Sequence, residues 1–318
     1  MPKLSKKTFI GIKTETTQGT SIDSSFGATD YILAMDVEIK PVIELNERDY
    51  FRTSLDRLAH VVGKKYSTVK FKTEVKGSGT AGTAYAPLGA ALMACGFTET
   101  VSASTSVTYT PTSTPASGSY YGPGKSCTIT VYKDGIKHIC AGSMGTVKFS
   151  FEAGKIAFAE FDFQGLYTAA SVASNPTTTF LATLPPIISA ATMTLNGDSS
   201  NHIAGKMEVD VSNSIAQRDD VNSSGGLLGF IITGRSPKGS IDPEAQTSDD
   251  VWDDFILGTS GSSDMVVGAT GGNIITFTMP KTQYSDVSYA DRSGILVYNA
   301  NLVFNQNTGD DWITIVFT

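Results

Sequence analysis

The most suggestive chemical motif in the chain of 318 residues is the glycine-rich segment Gly77-Ser78-Gly79-Thr80-Ala81-Gly82. Its spacing matches G-x-G-x-x-G, in which glycines let backbone N–H groups approach a dinucleotide pyrophosphate. Such a loop follows a strand that is buried on both faces and therefore almost entirely apolar. The strand predicted here instead alternates apolar residues with Lys70, Lys72 and Glu74. The sequence therefore predicts a packing loop and disfavours an enzyme of the dinucleotide-binding class.

The other residues that could bind metal do not form a recognisable site. Three histidines are scattered without the spacing of a metal-binding helix: His60, His138 and His202. Three acidic pairs lack the alternating oxygen ligands of a calcium loop and predict solvated surface: Asp249-Asp250, Asp253-Asp254 and Asp310-Asp311. We therefore expect no catalytic residue, no metal and no cofactor.

The cysteines predict small buried side chains. Cys95, Cys127 and Cys140 contain no C-x-x-C and are odd in number. The N-terminus has no apolar segment after its lysines, and no apolar run approaches the ~20 residues that span a bilayer. We expect a soluble protein without membrane binding, made in a cytoplasm, where a bridge between Cys127 and Cys140 is disfavoured.

The charged residues are distributed unevenly along the chain. Residues 1–180 carry 18 basic and 15 acidic side chains, whereas residues 181–318 carry 6 and 16. A protein that grips nucleic acid has a clustered basic excess, because its lysines and arginines neutralise phosphates. The distribution therefore argues against tight DNA binding.

An internal repeat indicates the domain organisation. Met35-Asp36-Val37-Glu38-Ile39 returns as Met207-Glu208-Val209-Asp210-Val211, and both segments alternate apolar residues with carboxylates, as a half-buried strand does. Arg48-Asp49 is matched by Arg218-Asp219 once a gap of two residues is allowed. In each copy, a strand and a loop then lead to a short helix and closing strands.

The two predicted helices carry ordinary start and stop signals. The first is expected at about 86–95, with Pro87 near its start and Gly96 at its end. The second is expected at about 249–257, where Ser248 would cap it, and Asp249 and Asp250 would suit its positive end. Its expected buried stripe is Trp252, Phe255 and Ile256.

These patterns predict a mainly β protein built from two tandem β-sandwich domains that form a barrel, each with one short α-helix. The expected domains are 1–172 and 186–318, joined by a linker at 173–185 that is rich in Ser, Thr, Ala and Pro. A single irregular β domain is the alternative.

Seven segments of the first copy occur in a recognisable order over about 31–168: Asp36–Pro41, Arg48–Tyr50, Glu74–Thr83, Leu92–Phe97, Val107–Pro111, Tyr132–Gly135 and Phe149–Lys155. Together they resemble the tail tube proteins of long-tailed, siphovirus-like bacteriophages. The second copy is similar mainly in pattern, through Met279-Pro280 and Asp291–Gly294 before a strand, and it lacks the Lys-Gly-Ser-Gly-Thr loop.

The resemblance implies a structural virion protein and not an enzyme. Tail tube proteins join sheets edge to edge into rings, and the rings stack into a hollow conduit for DNA ejection. Their rings generally hold six equivalent domains, so a chain with two would form a trimeric ring with pseudo-six-fold symmetry. The opposite charge of the two halves favours their alternation around the ring.

The resemblance also implies partners and a location. The partners are further copies of the chain, the tail terminator, tape measure and distal tail proteins, and DNA in transit. The location is the virion tail, after assembly in the host bacterial cytoplasm. A β-sandwich decoration or adhesion module on a virion surface is the alternative function, although it would leave the repeat unexplained.

Two sets of residues are the candidate site residues. Carboxylates on the repeated strands would face the lumen and repel DNA phosphate: Asp36, Glu38, Glu208 and Asp210. The segment Pro41–Lys65 is predicted to be a long projecting loop that contacts the next ring, because it mixes charged and aromatic side chains. Its candidate contact residues are Arg48, Asp49, Tyr50, Phe51, Arg52, Asp56 and Arg57.

Overall fold

A computed structural model describes residues 2–189, 191–198, 202–223, 225–246 and 251–318. The protein is mainly β, as predicted. The first half contains β1 (Thr8–Thr14), β2 (Tyr31–Ile32), β3 (Ala34–Asn46), β4 (Val61–Glu74), α1 (Ala86–Ala94), β5 (Phe97–Ser102), β6 (Ser106–Pro111), β7 (Cys127–Lys133), β8 (Ile136–Glu152), β9 (Phe158–Tyr167) and β10 (Ser171–Val172).

The second half contains a similar series of strands with one helix. Its elements are β11 (Thr192–Thr194), β12 (Ala204–Asp210), β13 (Asn213–Asp219), β14 (Leu227–Arg235), β15 (Lys238–Pro243), α2 (Val251–Leu257), β16 (Gly261–Val267), β17 (Ile275–Arg292), β18 (Ile295–Phe304) and β19 (Thr314–Phe317). Neither helix in the described parts of the chain is long and apolar enough to cross a membrane.

Eight strands form one continuous antiparallel row in the order β3-β4-β9-β8-β12-β15-β18-β17. The first four come from the first half of the chain and the last four from the second. Beside the row, β1 pairs with β7 and β7 with the first part of β8. In the same way, β11 pairs with β16 and β16 with the first part of β17. The pairings of the second half thus correspond to those of the first, with β12, β15, β18 and β17 as counterparts of β3, β4, β9 and β8.

The halves meet where β8 pairs with β12. β8 is 17 residues long; β7 occupies one side of its first part, and 148–152 pair with β12. Val209 lies opposite Phe149 and Met207 opposite Phe151 in this register. All four side chains are buried. The two halves therefore share one sheet and are not independent modules.

One apolar core runs along the covered face of the row. Alternate residues of each strand reach it, because successive side chains of a strand leave opposite faces. Phe71 stacks on Phe161 with ring centroids 5.1 Å apart. Phe277 of β17 packs edge-on against Phe149 at 5.1 Å and Phe151 at 4.9 Å. Aromatic contacts thus connect the core across the boundary between the halves.

The first helix agrees with the prediction. α1 has Pro87 in its first turn, and Gly96 follows its end with φ of +83°, a conformation that glycine adopts without strain. Most of its side chains are buried, and the helix packs mainly against β1 and β5. Its apolar residues are needed on every side because it lies inside the sandwich.

The predicted buried stripe of the second helix is wrong. In α2 Val251 is buried and Phe255 is half-buried, but Trp252 and Ile256 are exposed. The helix lies at the margin of the sheet, where Trp252 stacks flat on Tyr289 of β17 at 5.4 Å. The predicted capping residues Ser248, Asp249 and Asp250 lie outside the described residues.

The three cysteines are buried free thiols, as predicted. Burial raises the pKa of Cys140 to about 12 and also raises those of Cys95 and Cys127. The expected linker at 173–185 contains no helix or strand. It runs between the halves, since Thr183 donates to the Ser78 carbonyl at 3.2 Å and Leu184 O accepts from Asn273 at 2.8 Å.

We expect Phe149→Ala to destabilise the whole chain in a single unfolding transition. Phe149 is 1% exposed and lies at the junction of β8 and β12. Loss of a buried aromatic side chain costs about 3–5 kcal/mol. Urea unfolding followed by circular dichroism measures the loss, and the exposed Val101→Ala is the control. Separate transitions of the two halves would contradict a shared core.

Candidate functional site

The face of the row that points away from the core, here called the polar face, carries pairs of opposite charge across neighbouring strands. Lys70 of β4 contacts Asp162 of β9 at 2.7 Å, and Lys72 contacts Glu160 at 2.8 Å. The hydrogen bond to Asp162 is the main cause of the raised pKa of Lys70. These lysines are therefore already neutralised by partners in the same sheet.

A third ion pair crosses the boundary between the halves. Lys148 of β8 contacts Glu208 of β12 at 2.8 Å. The hydrogen bond to Glu208 is the largest cause of the raised pKa of Lys148, and burial acts in the opposite direction. Both side chains are partly exposed, so water and salt screen the attraction.

An open groove of about 450 Å³ on the polar face brings the predicted lumen residues together. Asp36, Glu38 and Asp210 line it. Glu208 is next to the groove, because it forms an ion pair with the lining residue Lys148. The charged residues of the groove are five carboxylates and three lysines: Asp36, Glu38, Glu160, Asp162, Asp210, Lys70, Lys72 and Lys148. The groove is therefore net negative, with each of its lysines paired. Lys238 of β15 lies opposite Asp210 in the strand register, and Lys206 lies farther along β12.

The segment predicted as a loop at Pro41–Lys65 contains an irregular part, as expected, but both of its ends are strands of a hairpin. β3 and β4 continue to Asn46 and Val61, which pair with each other. Only 47–60 lacks regular structure. We call the hairpin formed by 42–46 and 61–66, with its tip at 47–60, the first arm. The prediction missed these strands because 42–46 and 61–66 lack the strict alternation of apolar and polar residues that indicates a half-buried strand.

All seven predicted contact residues lie at the tip of the first arm. They line a pocket of about 560 Å³ together with neighbouring tip residues: Arg48, Asp49, Tyr50, Phe51, Arg52, Asp56 and Arg57. Arg57 pairs with Glu47 at 3.1 Å, and the Arg48 guanidinium lies 6.0 Å from the centre of the Tyr50 ring. Phe51 is fully exposed. Exposed aromatic and arginine side chains of this kind are typical of protein interfaces.

A second arm, β13 and β14, occupies the corresponding place in the second half. It connects β12 to β15 as the first arm connects the inner parts of β3 and β4. It turns away from its strands near Ser212, whose φ is +46°. Arg235 at its base donates to the carbonyls of Gly96 and Thr112 and pairs with Asp310 at 3.4 Å. The repeated dipeptide Arg218-Asp219 lies in this arm and was found in the sequence. The contacts that Arg235 makes at the base of the arm could not be predicted from the sequence.

The row has two open edges. β3 pairs with β4 on one side, and no strand of the described residues pairs with its other side. In β17 the partner strand β16 ends opposite Thr282, so 283–292 pair with β18 and have no strand on the other side among the described residues. That vacant side of β17 corresponds to the side of β8 that β12 occupies. Unpaired backbone N–H and C=O groups at such an edge are available to another chain.

Exposed apolar side chains accompany both edges. Beside β3 they include Leu33 and Met35, and beside β17 they include Tyr289, Leu296 and Trp252 of α2. Soluble monomers rarely expose groups of large apolar side chains unless the surface has a partner. The edges and their surroundings therefore have the properties of an interface.

The glycine-rich loop at 77–82 packs against the second half of the chain. Gly77 N–H donates to Asn273 Oδ1 at 2.8 Å, and Gly79 N–H donates to Gly272 O at 3.0 Å. A Cβ at Gly77 would collide with the Gly272 carbonyl. Close backbone approach explains the glycines. Two of the N–H groups that a pyrophosphate would need already have partners.

The acidic pair at 310–311 has structural contacts. Asp310 pairs with Arg235. Asp311 accepts hydrogen bonds from Thr308 and from the N–H groups of Asn307 and Gly309, which lower its pKa to about 2, the Thr308 side chain contributing most. These contacts explain the two aspartates without a bound ion.

Comparison with known proteins identifies the family. A model of the phage tail tube protein family matches residues 5–305. The chain belongs to this family. No curated protein matches the sequence significantly. Membership makes this tail tube protein a structural component of a phage tail, in agreement with the resemblance found in the sequence.

We expect Glu208→Gln to weaken the tail tube subunit by about 0.5–1 kcal/mol, the range of a partly exposed ion pair. The raised pKa of Lys148 means that the contribution is present at neutral pH and is lost as pH rises through the pKa of the folded state. Urea unfolding at pH 7 and low salt measures it, and 1 M NaCl should reduce it. Glu152→Gln is the control, since its partner Lys155 lies in the same turn. Equal losses of unfolding free energy in both variants would contradict a stabilising role of the Lys148–Glu208 ion pair.

Proposed function

We propose that this tail tube protein forms closed rings in which the sheet continues from chain to chain, and that the rings stack into a conduit for DNA ejection. The observation that supports this most directly is the junction of β8 with β12. There one half presents a vacant side of the long strand β8, and β12 of the other half fills it. β17 and β3 present the same two surfaces at the outer ends of the row.

The proposed contact between chains is an antiparallel pairing of β17 at 283–292 with β3 of the next copy. It repeats the antiparallel β8–β12 junction. The pairing satisfies the backbone groups of both edges and covers the exposed apolar residues beside them. Repetition of one heterologous contact gives either a closed ring or an open filament, depending on the rotation.

We propose three chains in each ring. Each chain supplies two four-stranded units to the row, so three chains give the six units of a pseudo-six-fold barrel. The two units would be tube domains, with the bounds 1–172 and 186–318 remaining part of the proposal. The near-neutral first half would meet the acidic second half at every junction, which disfavours pairing of like halves.

We propose that the polar face lines the lumen. A conduit must let DNA slide, and free lysines would retain it by displacing counterions from phosphates. In the groove on this face, Lys70, Lys72 and Lys148 are each paired with a carboxylate. The unpaired excess is negative and includes the candidate residues Asp36 and Glu38.

The tip of the first arm is the proposed contact with the next ring. It lies at one end of the strands and carries the exposed residues of 47–60. At the two ends of the stack, the same surfaces would meet the tail terminator, tape measure and distal tail proteins. Assembly would take place in the host bacterial cytoplasm.

Electron microscopy of assembled protein tests the ring. We expect en-face projections with three chains per ring, and a reconstruction in which Asp36, Glu38, Glu208 and Asp210 face the lumen. Six chains per ring would overturn the trimer, and monomers alone would support a decoration module instead. A lumen lined by the opposite face would overturn the assignment of the candidate carboxylates.

A charge at the open edge of β17 should prevent assembly without unfolding the subunit. In Tyr289→Asp the carboxylate would be enclosed by the neighbouring chain, so we expect assembly to need about tenfold more protein, equivalent to about 1.4 kcal/mol. Val101→Asp is the control, because Val101 is also exposed but lies on β5, which is not a strand of the row. Light scattering measures assembly, and thermal melting of the monomer checks the fold. Normal assembly of Tyr289→Asp would contradict the proposed junction.

Removal of the arm tip should separate ring formation from stacking. Replacing 47–60 by Asn-Gly joins the paired residues Asn46 and Val61 with a two-residue hairpin turn. We expect an unchanged melting temperature and single rings in place of tubes, because the tip is exposed in the subunit. Tubes of ordinary length from this variant would show that the tip has no role in stacking.

A further inference from the structure

The two arms are counterparts with different surroundings. In the first arm, Leu45 of β3 pairs with Val62 of β4, and in the second arm Ile215 of β13 pairs with Ile232 of β14. The first residue of each pair, Leu45 or Ile215, lies three positions before the matched Arg-Asp dipeptide. Ile232 is 3% exposed, whereas Leu45 and Val62 are 51% and 55% exposed. The same kind of apolar pair is therefore covered in one arm and open in the other.

The second arm shows how such a pair is covered. It folds over the ends of β4, β8 and β9 in the first half of the chain. Phe230 and Ile232 form a small core there with Met144, Leu166 and Tyr66. The Tyr66 and Phe230 rings meet edge-on at 5.6 Å.

Polar contacts hold the second arm in this position. Gln18 Nε2 donates to the carbonyl oxygen of Phe230 at 2.7 Å. The Arg218 guanidinium lies 4.2 Å from the centre of the Tyr121 ring, and Lys64 pairs with Asp219 at 2.9 Å. The contact therefore combines an apolar centre with a side-chain donor to the arm backbone and charged contacts at the rim.

A vacant groove lies at the corresponding place in the second half. The counterparts of β4 and β9 are β15 and β18, and a groove of about 930 Å³ lies against the ends of these strands. Its lining includes Lys238, Val303, Phe304, Asn305 and Trp312, and residues 231–237 at the base of the second arm form another wall. The groove and the first arm lie at the same end of the row. β3 and β12 both run toward this end, whereas β8 runs away from it.

The groove contains a buried donor without a partner. Trp312 is 5% exposed, and its indole Nε1–H has no hydrogen-bond partner among the described residues. A buried donor of this kind costs free energy unless something accepts from it. Under the second arm a side-chain donor, that of Gln18, bonds to a backbone carbonyl of the arm. A strand seated in the groove would offer such a carbonyl.

We propose that the first arm of one chain docks in this groove of the neighbouring chain in the same ring. The inference rests on the proposed ring, in which β3 and β4 of the next copy lie beside β17 and place their arm next to the groove. Leu45 and Val62 cover the apolar floor, and an arm carbonyl accepts from Trp312. The register shift between Ile43 and Leu45 gives β3 a position at which to bend.

Cross-linking between two single-cysteine proteins tests the contact. Val62→Cys and Asn305→Cys both replace exposed residues, and each is made separately in the full chain. The proteins are mixed before assembly and treated with a short bis-maleimide, so any linked pair joins two chains. The native cysteines are buried with raised pKa values and should not react. Val61→Cys is the matched control, because its side chain leaves the opposite face of the same strand.

We expect a linked dimer from Val62→Cys with Asn305→Cys, and loss of most of that product with Val61→Cys. The variant Ile295→Cys at the far end of β18 reports a stacked ring. Linkage of Val62→Cys to Ile295→Cys in place of Asn305→Cys would overturn docking within the ring. Rings seen by microscopy without the Asn305 link would overturn the arm contact alone, whereas absence of rings from the wild-type protein would overturn the proposed ring itself.

Discussion

The constraint on which the structure depends is that the backbone N–H and C=O groups along each strand need hydrogen-bond partners, either from a neighbouring strand or from outside the sheet. β8 satisfies it by length, since one side of the strand pairs first with β7 and then with β12. This shared strand joins the halves into one sheet and places Phe149 and Phe151 against Phe277. β17 is equally long, but its outer part and β3 keep one side unpaired within the chain. The same requirement that completes the fold at β8 thus leaves it incomplete at the two ends of the row.

The polar face shows why overall charge is a poor guide to this protein. Lysines on neighbouring strands point toward the same side as the carboxylates, and cross-strand pairing neutralises them: Lys70 with Asp162, Lys72 with Glu160. What remains available to a passing polyanion is the excess of carboxylates in the groove. A basic first half is therefore compatible with a surface that does not retain DNA, because the position of each lysine matters more than their number.

Much of the fold could be predicted from local patterns. Period-two alternation identified the repeated strands β3 and β12, and Pro87 with Gly96 identified α1 closely. The patterns failed where apolar residues serve surfaces that lie open in the single chain. Trp252 and Ile256 have the spacing of a buried helix stripe, yet both are exposed in α2 beside the open edge. The direction of the second arm was also beyond prediction, because it depends on Arg235, Gln18 and Asn213, whose partners are distant in sequence.

The difference in exposure between the two arms has a thermodynamic explanation. When two strands or an arm and its groove belong to one chain, docking requires no loss of translational and rotational freedom beyond that of folding, whereas association between chains costs several kcal/mol or more. The β8–β12 junction and the second arm are therefore formed as soon as the subunit folds. A ring of three such chains has only three junctions left to form by association, where six separate units would have six. In the proposed ring, an apolar pair such as Leu45 and Val62 can then stay exposed in the free subunit, because the neighbouring chain would supply its groove.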